Sequence, residues 1–168
     1  TDSDDNGYRD DVVGWDFAGN DNDPNDAANH GHGTHTAGIA SAVTDNEIGI
    51  SSIGFNCKLM IVRCGHGNAI PFGYEAITYA VDNGAKVINC SWGGAQADQA
   101  GRDAVQHAHE EDVIIIAAAG NNNRSTQFYP AGFQTVVAVT ATNSNDIKAN
   151  FSNYGNWVDL AAPGDGIR

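Results

Sequence analysis

The chain has 168 residues, 41% of them hydrophobic, enough for one compact domain with its own core and too few for a second independent one. Acidic side chains outnumber basic ones 21 to 8, a formal net charge of −13, which argues against nucleic acid as a partner because its phosphates would be repelled. No apolar run approaches the roughly 18 residues of a membrane-spanning helix and no signal peptide opens the chain, so no membrane partner is expected. The acidic balance suits a secreted, extracellular protein or one that collects divalent cations.

The first 31 residues are rich in Asp, Asn and Gly, and read as loop. Within them Asp2-Ser3-Asp4-Asp5-Asn6-Gly7 fits the first six positions of a D-x-[DN]-x-[DN]-G calcium loop. The glutamate due at the twelfth position is Val13, so an EF-hand is not expected. Asp2, Asp4 and Asn6, with Asp10 or Asp11, could still close an oxygen cage around calcium; a solvated acidic loop is the alternative.

From Gly33 the residues become small and apolar (Thr34, Ala37, Gly38, Ala40, Ala42), which predicts a tightly packed, buried helix. Lys58–Arg63 reads as a strand. Cys57 and Cys64 bracket its apolar part, about 20 Å apart at about 3.3 Å per residue, too far for a disulfide. Phe72–Asn83 reads as a helix with Ile77, Ala80 and Val81 on one face, stopped by Gly84. A buried strand over Lys86–Ser91 follows, with Cys90 as a small core residue. Next come a polar-faced helix over Asp98–Glu111 and strands over Val113–Ala119, Val136–Thr142 and Val158–Ala161. Helices alternating with wholly apolar strands imply an α/β fold, a parallel β-sheet sandwiched by helices, with chemistry at the carboxyl ends of the strands.

Three stretches carry chemistry. In Asn29-His30-Gly31-His32-Gly33-Thr34-His35-Thr36-Ala37-Gly38, His32 stands where a glycine-rich loop turns into the small-residue helix. An imidazole held there suits a general base; a histidine that merely caps the helix is the alternative. His32 and His35 are three apart with no glutamate between them, so the H-E-x-x-H zinc arrangement is absent. The strand ending in Ser91-Trp92-Gly93-Gly94 leaves backbone free to pair with an extended peptide, unless it is an ordinary turn. Asn121 follows a strand of small residues and Gly120, so its amide can enter a cleft, although an Asn in Gly-Asn-Asn-Asn is also ordinary turn chemistry.

Gly31-His32-Gly33-Thr34-His35-Thr36-Ala37-Gly38 resembles the histidine motif of the subtilase family, of the thermitase type. Val87–Gly94, Ala117-Ala118-Ala119-Gly120-Asn121, Tyr129-Pro130-Ala131, Asn150–Gly155 and Ala161-Ala162-Pro163-Gly164 are similar to its later landmarks, in order. The likeness runs from about Val12 to Gly164. It implies a serine endopeptidase acting on polypeptides, with His32 as base, His35 structural and the Asn121 amide as donor to the oxyanion. By the same likeness Ser91, Trp92 and Gly93 line the specificity pocket, and Gly65 and Gly67 flank the cleft. It further implies structural calcium in the loop holding Asp21, Asp23 and Asp26, and at Asn46 in Thr44–Ile50.

The family's triad runs Asp, His, Ser along the chain. No Asp-Ser-Gly or Asp-Thr-Gly occurs, and no G-T-S-M-A serine motif follows Ala-Ala-Pro-Gly. Residues 1–168 are therefore expected to form a partial catalytic domain that is inactive alone, with self-association as one way to cover exposed core. Two other readings stay open: a non-catalytic calcium- or peptide-binding module on this scaffold, and an unrelated α/β enzyme using His32 with Cys90 as nucleophile.

Overall fold

The computed structural model describes residues 2, 4–25 and 31–167. The chain forms two compact units, Thr1–Ala76 and Ile77–Arg168.

In the first unit two short parallel strands, β1 (Gly14–Asp16) and β2 (Ile61–Arg63), pair Trp15 with Val62. Only glycine fits at position 14, where φ is +133° and a Cβ would lie 1.8 Å from the Ile61 carbonyl oxygen. Trp15 is buried, with the Tyr8 ring 5.1 Å away edge-on, and Phe17 stacks on Phe72. This strand pair places ordered structure inside the stretch expected to be loop. Three residues cannot set up a period, and apolar Trp15 and Phe17 flank a charged Asp16.

Helix α1 (His32–Ser41) begins at the expected place, but none of its residues is buried, which corrects the expectation of a buried helix. Small side chains allow close packing; they do not supply the partner that packs. In this unit the segment after it is tied to its last turn, Ile53 N–H donating to the Ile39 carbonyl and Gly54 N–H to that of Ala40, both at 3.0 Å.

Helix α2 (Gly73–Asp82) buries Ala76, Ile77, Tyr79, Ala80 and Val81. It stops at Gly84, whose φ of +84° turns the chain so that Ala85 N–H reaches the Ala80 carbonyl at 2.9 Å.

The second unit is built on four parallel strands in chain order: β3 (Val87–Cys90), β4 (Ile114–Ala118), β5 (Val136–Thr142) and β6 (Leu160–Pro163). Cys90, Ala117 and Ala138 lie side by side in register, as do Ile115 and Val136, and all five are buried. Helix α3 (Gln99–Glu110) packs on β4 and buries Ala104, Val105 and Ala108.

The alternate face is open, with Val87 57%, Ile114 53% and Leu160 58% exposed. The wholly apolar strands thus suit a sheet covered on both faces, while one face is closed among the described residues. For the same reason β3, an edge strand, buries only Cys90. Strand β6 starts two residues later than expected because Val158 N–H closes a turn onto the Gly155 carbonyl.

Asp98 caps α3, its carboxylate accepting from Gly101 N–H at 2.8 Å. Asp98→Ala is expected to cost about 0.5–2 kcal/mol, read as a lower urea midpoint with unchanged slope.

Candidate active site

Because β3 and β4 are parallel neighbours with Cys90 beside Ala117, both strands end at one edge of the sheet. Ser91-Trp92-Gly93-Gly94 leaves β3 there, and Ala119-Gly120-Asn121 leaves β4. The first segment is tied to Tyr129 in both directions: Gly94 N–H donates to its carbonyl at 2.8 Å, and Tyr129 N–H donates back to that of Gly94 at 2.7 Å. Gly93 allows this approach, since a Cβ would lie 2.5 Å from both the Phe128 ring and the Tyr129 carbonyl oxygen.

At the second exit Gly120 takes φ +102° and turns Asn121 outward. The Asn121 side chain is exposed and makes no hydrogen bond among the described residues, which leaves its amide free to donate. The sheet therefore gathers the expected peptide-pairing segment and the expected oxyanion donor at one carboxyl edge.

In the first unit His32 is the first residue of α1, exposed, with its side chain making no hydrogen bond among the described residues. The cap is Gly31 at φ 54°, and no side chain caps the helix, so the reading of His32 as a capping residue fails. The exposure of α1 also means that burial does not hold the imidazole here. Gly65 and Gly67 share a tight turn in which His66 and Ala69 exchange backbone bonds at 3.0 Å. Gly67 takes φ +58°, and at Gly65 a Cβ would lie 2.1 Å from the Ala69 carbonyl oxygen.

Ser91, Ser152 and Cys90 are engaged or covered, whereas Cys57, Ser51, Ser125 and Ser144 are exposed. Ser91 Oγ accepts from Asn89 Nδ2 at 2.8 Å. Ser152 is 2% exposed, its Oγ bonded to Thr140 Oγ1 at 2.8 Å and accepting from Ala141 N–H at 2.9 Å. Cys90 is 1% exposed, which removes it as a nucleophile reaching a polypeptide. All three cysteines are free thiols, and burial pushes the Cys64 thiol up to about 11.

The calcium candidates spend their oxygens on their own loops. Asp2 accepts Gly7 N–H at 2.8 Å and Asn6 N–H at 3.2 Å, bonds that hold its carboxyl below the usual range, with Gly7 the main cause. The Asn6 side-chain amide donates to Asp4 and Asp11. Asp21 accepts Asp23 N–H, Asp23 accepts Asn25 Nδ2, and Asn46 accepts Ile48 N–H. Asp26 lies outside the described residues. Among the described residues no three His, Cys, Asp or Glu side chains are grouped to hold a metal.

One pair does converge: a Cβ at Gly19 would lie 2.8 Å from Asp16 Oδ2 and 3.1 Å from Asp21 Oδ2. Asp16, buried, was not among the expected ligands. Arg63 Nη1 sits 2.5 Å from its Oδ2, and Ala18 and Gly19 N–H donate to its Oδ1.

A model of the subtilase family matches residues 1–166. The chain belongs to the subtilase family. Thermitase of Thermoactinomyces vulgaris is 43% identical over 162 residues, which are 93% of this chain and 56% of that protein. The thermophilic serine proteinase of Bacillus sp. (strain AK1) is 45% identical over 157 residues, 91% of this chain and 38% of that protein. Among solved structures, the prenylagaramide maturation protease PagA superposes with a TM-score of 0.72 at 33% identity, covering 79% of this chain and 51% of that one. A protease from Pseudoalteromonas arctica does so with the same TM-score at 31% identity, covering 76% and 42%. The subtilase chain thus carries the family's parallel-sheet α/β architecture and its serine-protease relationship, over about half or less of its relatives' length.

Proposed function

We propose that these residues are the base- and oxyanion-bearing portion of a secreted serine endopeptidase that cleaves polypeptides, with no nucleic-acid or membrane partner. The observation that carries the reading is the meeting of a free Asn121 amide and the Ser91–Gly94 backbone at one sheet edge. Relatives named as an extracellular serine protease of Natrialba magadii and a cell wall-associated protease of Bacillus subtilis support secretion, and no helix among the described residues is long and apolar enough to cross a membrane.

In this reading a substrate strand pairs with the backbone of Ser91, Trp92 and Gly93, and Gly65 and Gly67 give it room. His32 takes the proton of the attacking serine hydroxyl as the oxygen–carbon bond forms, then delivers it to the leaving amine. The carbonyl oxygen, now anionic, receives the Asn121 side-chain N–H. The engaged hydroxyls of Ser91 and Ser152 and the absence of a G-T-S-M-A segment support a nucleophile outside these 168 residues, so residues 1–168 alone are inert. The open apolar face around Val87, Ile114 and Leu160 supports self-association of the isolated chain.

The test is hydrolysis of a chromogenic peptide by the full-length gene product, before and after a serine-directed reagent. Turnover abolished by the reagent is the expected result. Peptide binding without turnover would replace this reading with a non-catalytic binding module.

Calcium is proposed only as a structural ligand near Asp21 and Asp23, supported by the carboxylate pair facing Gly19. It takes no part in the chemistry, and it must displace the loop's own amide bonds to bind. Millimolar calcium is expected to raise the melting temperature relative to chelator, with the rise lost in Asp21→Asn; an unchanged melting temperature contradicts it.

A further inference from the structure

Asn121 is exposed and unbonded, yet an oxyanion donor must be held where the charge develops. The residues on either side of it are held, and by one residue. Asn153, 2% exposed, accepts at Oδ1 from Asn122 N–H (2.9 Å) and from Arg124 N–H (3.1 Å), which uses both lone pairs of that oxygen. Its Nδ2 donates to the Ala119 carbonyl at 2.8 Å, and its backbone N–H donates to the Gly120 carbonyl at 2.8 Å. Residues 119, 120, 122 and 124 are thus all bonded to one residue, and 121 is the one left free to point outward.

Gly120 is part of the same fit. A Cβ there would lie 2.6 Å from Asn153 Nδ2, so any larger residue would push the amide out of the loop. Asn153 is itself fixed from behind, its carbonyl accepting from Thr140 Oγ1 at 2.7 Å on β5.

We propose that Asn153 is a positioning residue for the oxyanion site, its side-chain amide clamping the 119–124 loop so that Asn121 presents its own amide to the tetrahedral intermediate. This rests on the oxyanion role of Asn121 proposed above. A buried amide with three of its four bonding positions used inside one loop fixes that loop at low entropic cost, because the ordering is complete before substrate arrives.

The test is a double-mutant cycle in the full-length protein, with kcat and KM measured for Asn121→Ala, Asn153→Ala and the pair, each confirmed folded by circular dichroism. Asn153→Ala is expected to lower kcat by about 10- to 100-fold with KM nearly unchanged, since only transition-state positioning is lost. In the Asn121→Ala background the same substitution is expected to lower kcat by less than about two-fold, because there is no donor left to position. If Asn153→Ala does not fold, Asn153→Gln takes its place in the cycle, with its donor and acceptor one methylene out of register. A folded variant with unchanged kcat, or one whose loss is equally large without Asn121, overturns the clamp. An Asn121→Ala that leaves kcat unchanged overturns instead the oxyanion reading on which the clamp rests.

Discussion

Replacing His32 by alanine in the full-length protein is expected to lower kcat for peptide hydrolysis by about 10⁶-fold, a magnitude carried over from subtilisin, a member of the same family. His32 has no structural partner to lose: it does not cap α1, its imidazole bonds to no described residue, and no side chain buries it. The substitution should leave stability within about 0.5 kcal/mol, as for other exposed positions. A steep fall in kcat with an unchanged melting temperature separates a general base from a structural histidine. His35→Ala, one turn along the same exposed helix, should leave kcat within a few-fold of wild type. Equal losses at both positions would mean that α1 as a whole, and not its first imidazole, is what the substitutions disturb.

The second large effect is at Asn121. Asn121→Ala is expected to reduce kcat about 10²- to 10³-fold with little change in KM, a magnitude also taken over from subtilisin. In the proposed role the amide donates to an oxygen that is fully charged only in the tetrahedral intermediate, so ground-state binding would not depend on it. Its side chain makes no hydrogen bond that the truncation would break, so stability should again be unaffected. A loss in KM with kcat intact would assign Asn121 to substrate binding and leave the oxyanion without this donor.

The parts of the fold that were legible in the sequence are those with local causes. Strand β5 runs over Val136–Thr142, the bounds expected from the sequence. Helix α3 starts after Asp98 because a carboxylate there can accept a backbone N–H of the first turn, and α2 stops at Gly84 because that residue tolerates positive φ. Burial was not legible to the same degree. The small residues of α1 and the apolar residues of β3 say that these elements can be covered, and nothing local says by what.

The site divides along the same line. The proposed roles of His32, Asn121 and the Ser91–Gly93 segment come from motifs of adjacent residues. The clamp at Asn153 does not, since its partners lie 29 to 34 positions away and Phe-Ser-Asn-Tyr-Gly carries no local sign of them. Asp16 was missed because its carboxylate meets Arg63, 47 residues on, across a strand pair too short to show a period. In the calcium loops the reverse holds. Their acidic spacing is visible, but the backbone amides that claim the same oxygens can be seen only once the loops are folded.

The proposed division of labour puts the base and the oxyanion donor of a serine peptidase within residues 1–168 and the nucleophile outside them. It is tested most directly by treating purified residues 1–168 with a fluorophosphonate and mapping any adduct by peptide mass. No labelled serine is expected, with Ser91 and Ser152 unmodified, and stoichiometric labelling is expected in a longer protein at a serine outside these residues. An adduct on Ser91 or Ser152 that disappears in His32→Ala would contradict it, because a nucleophile activated by this histidine would then lie within the chain.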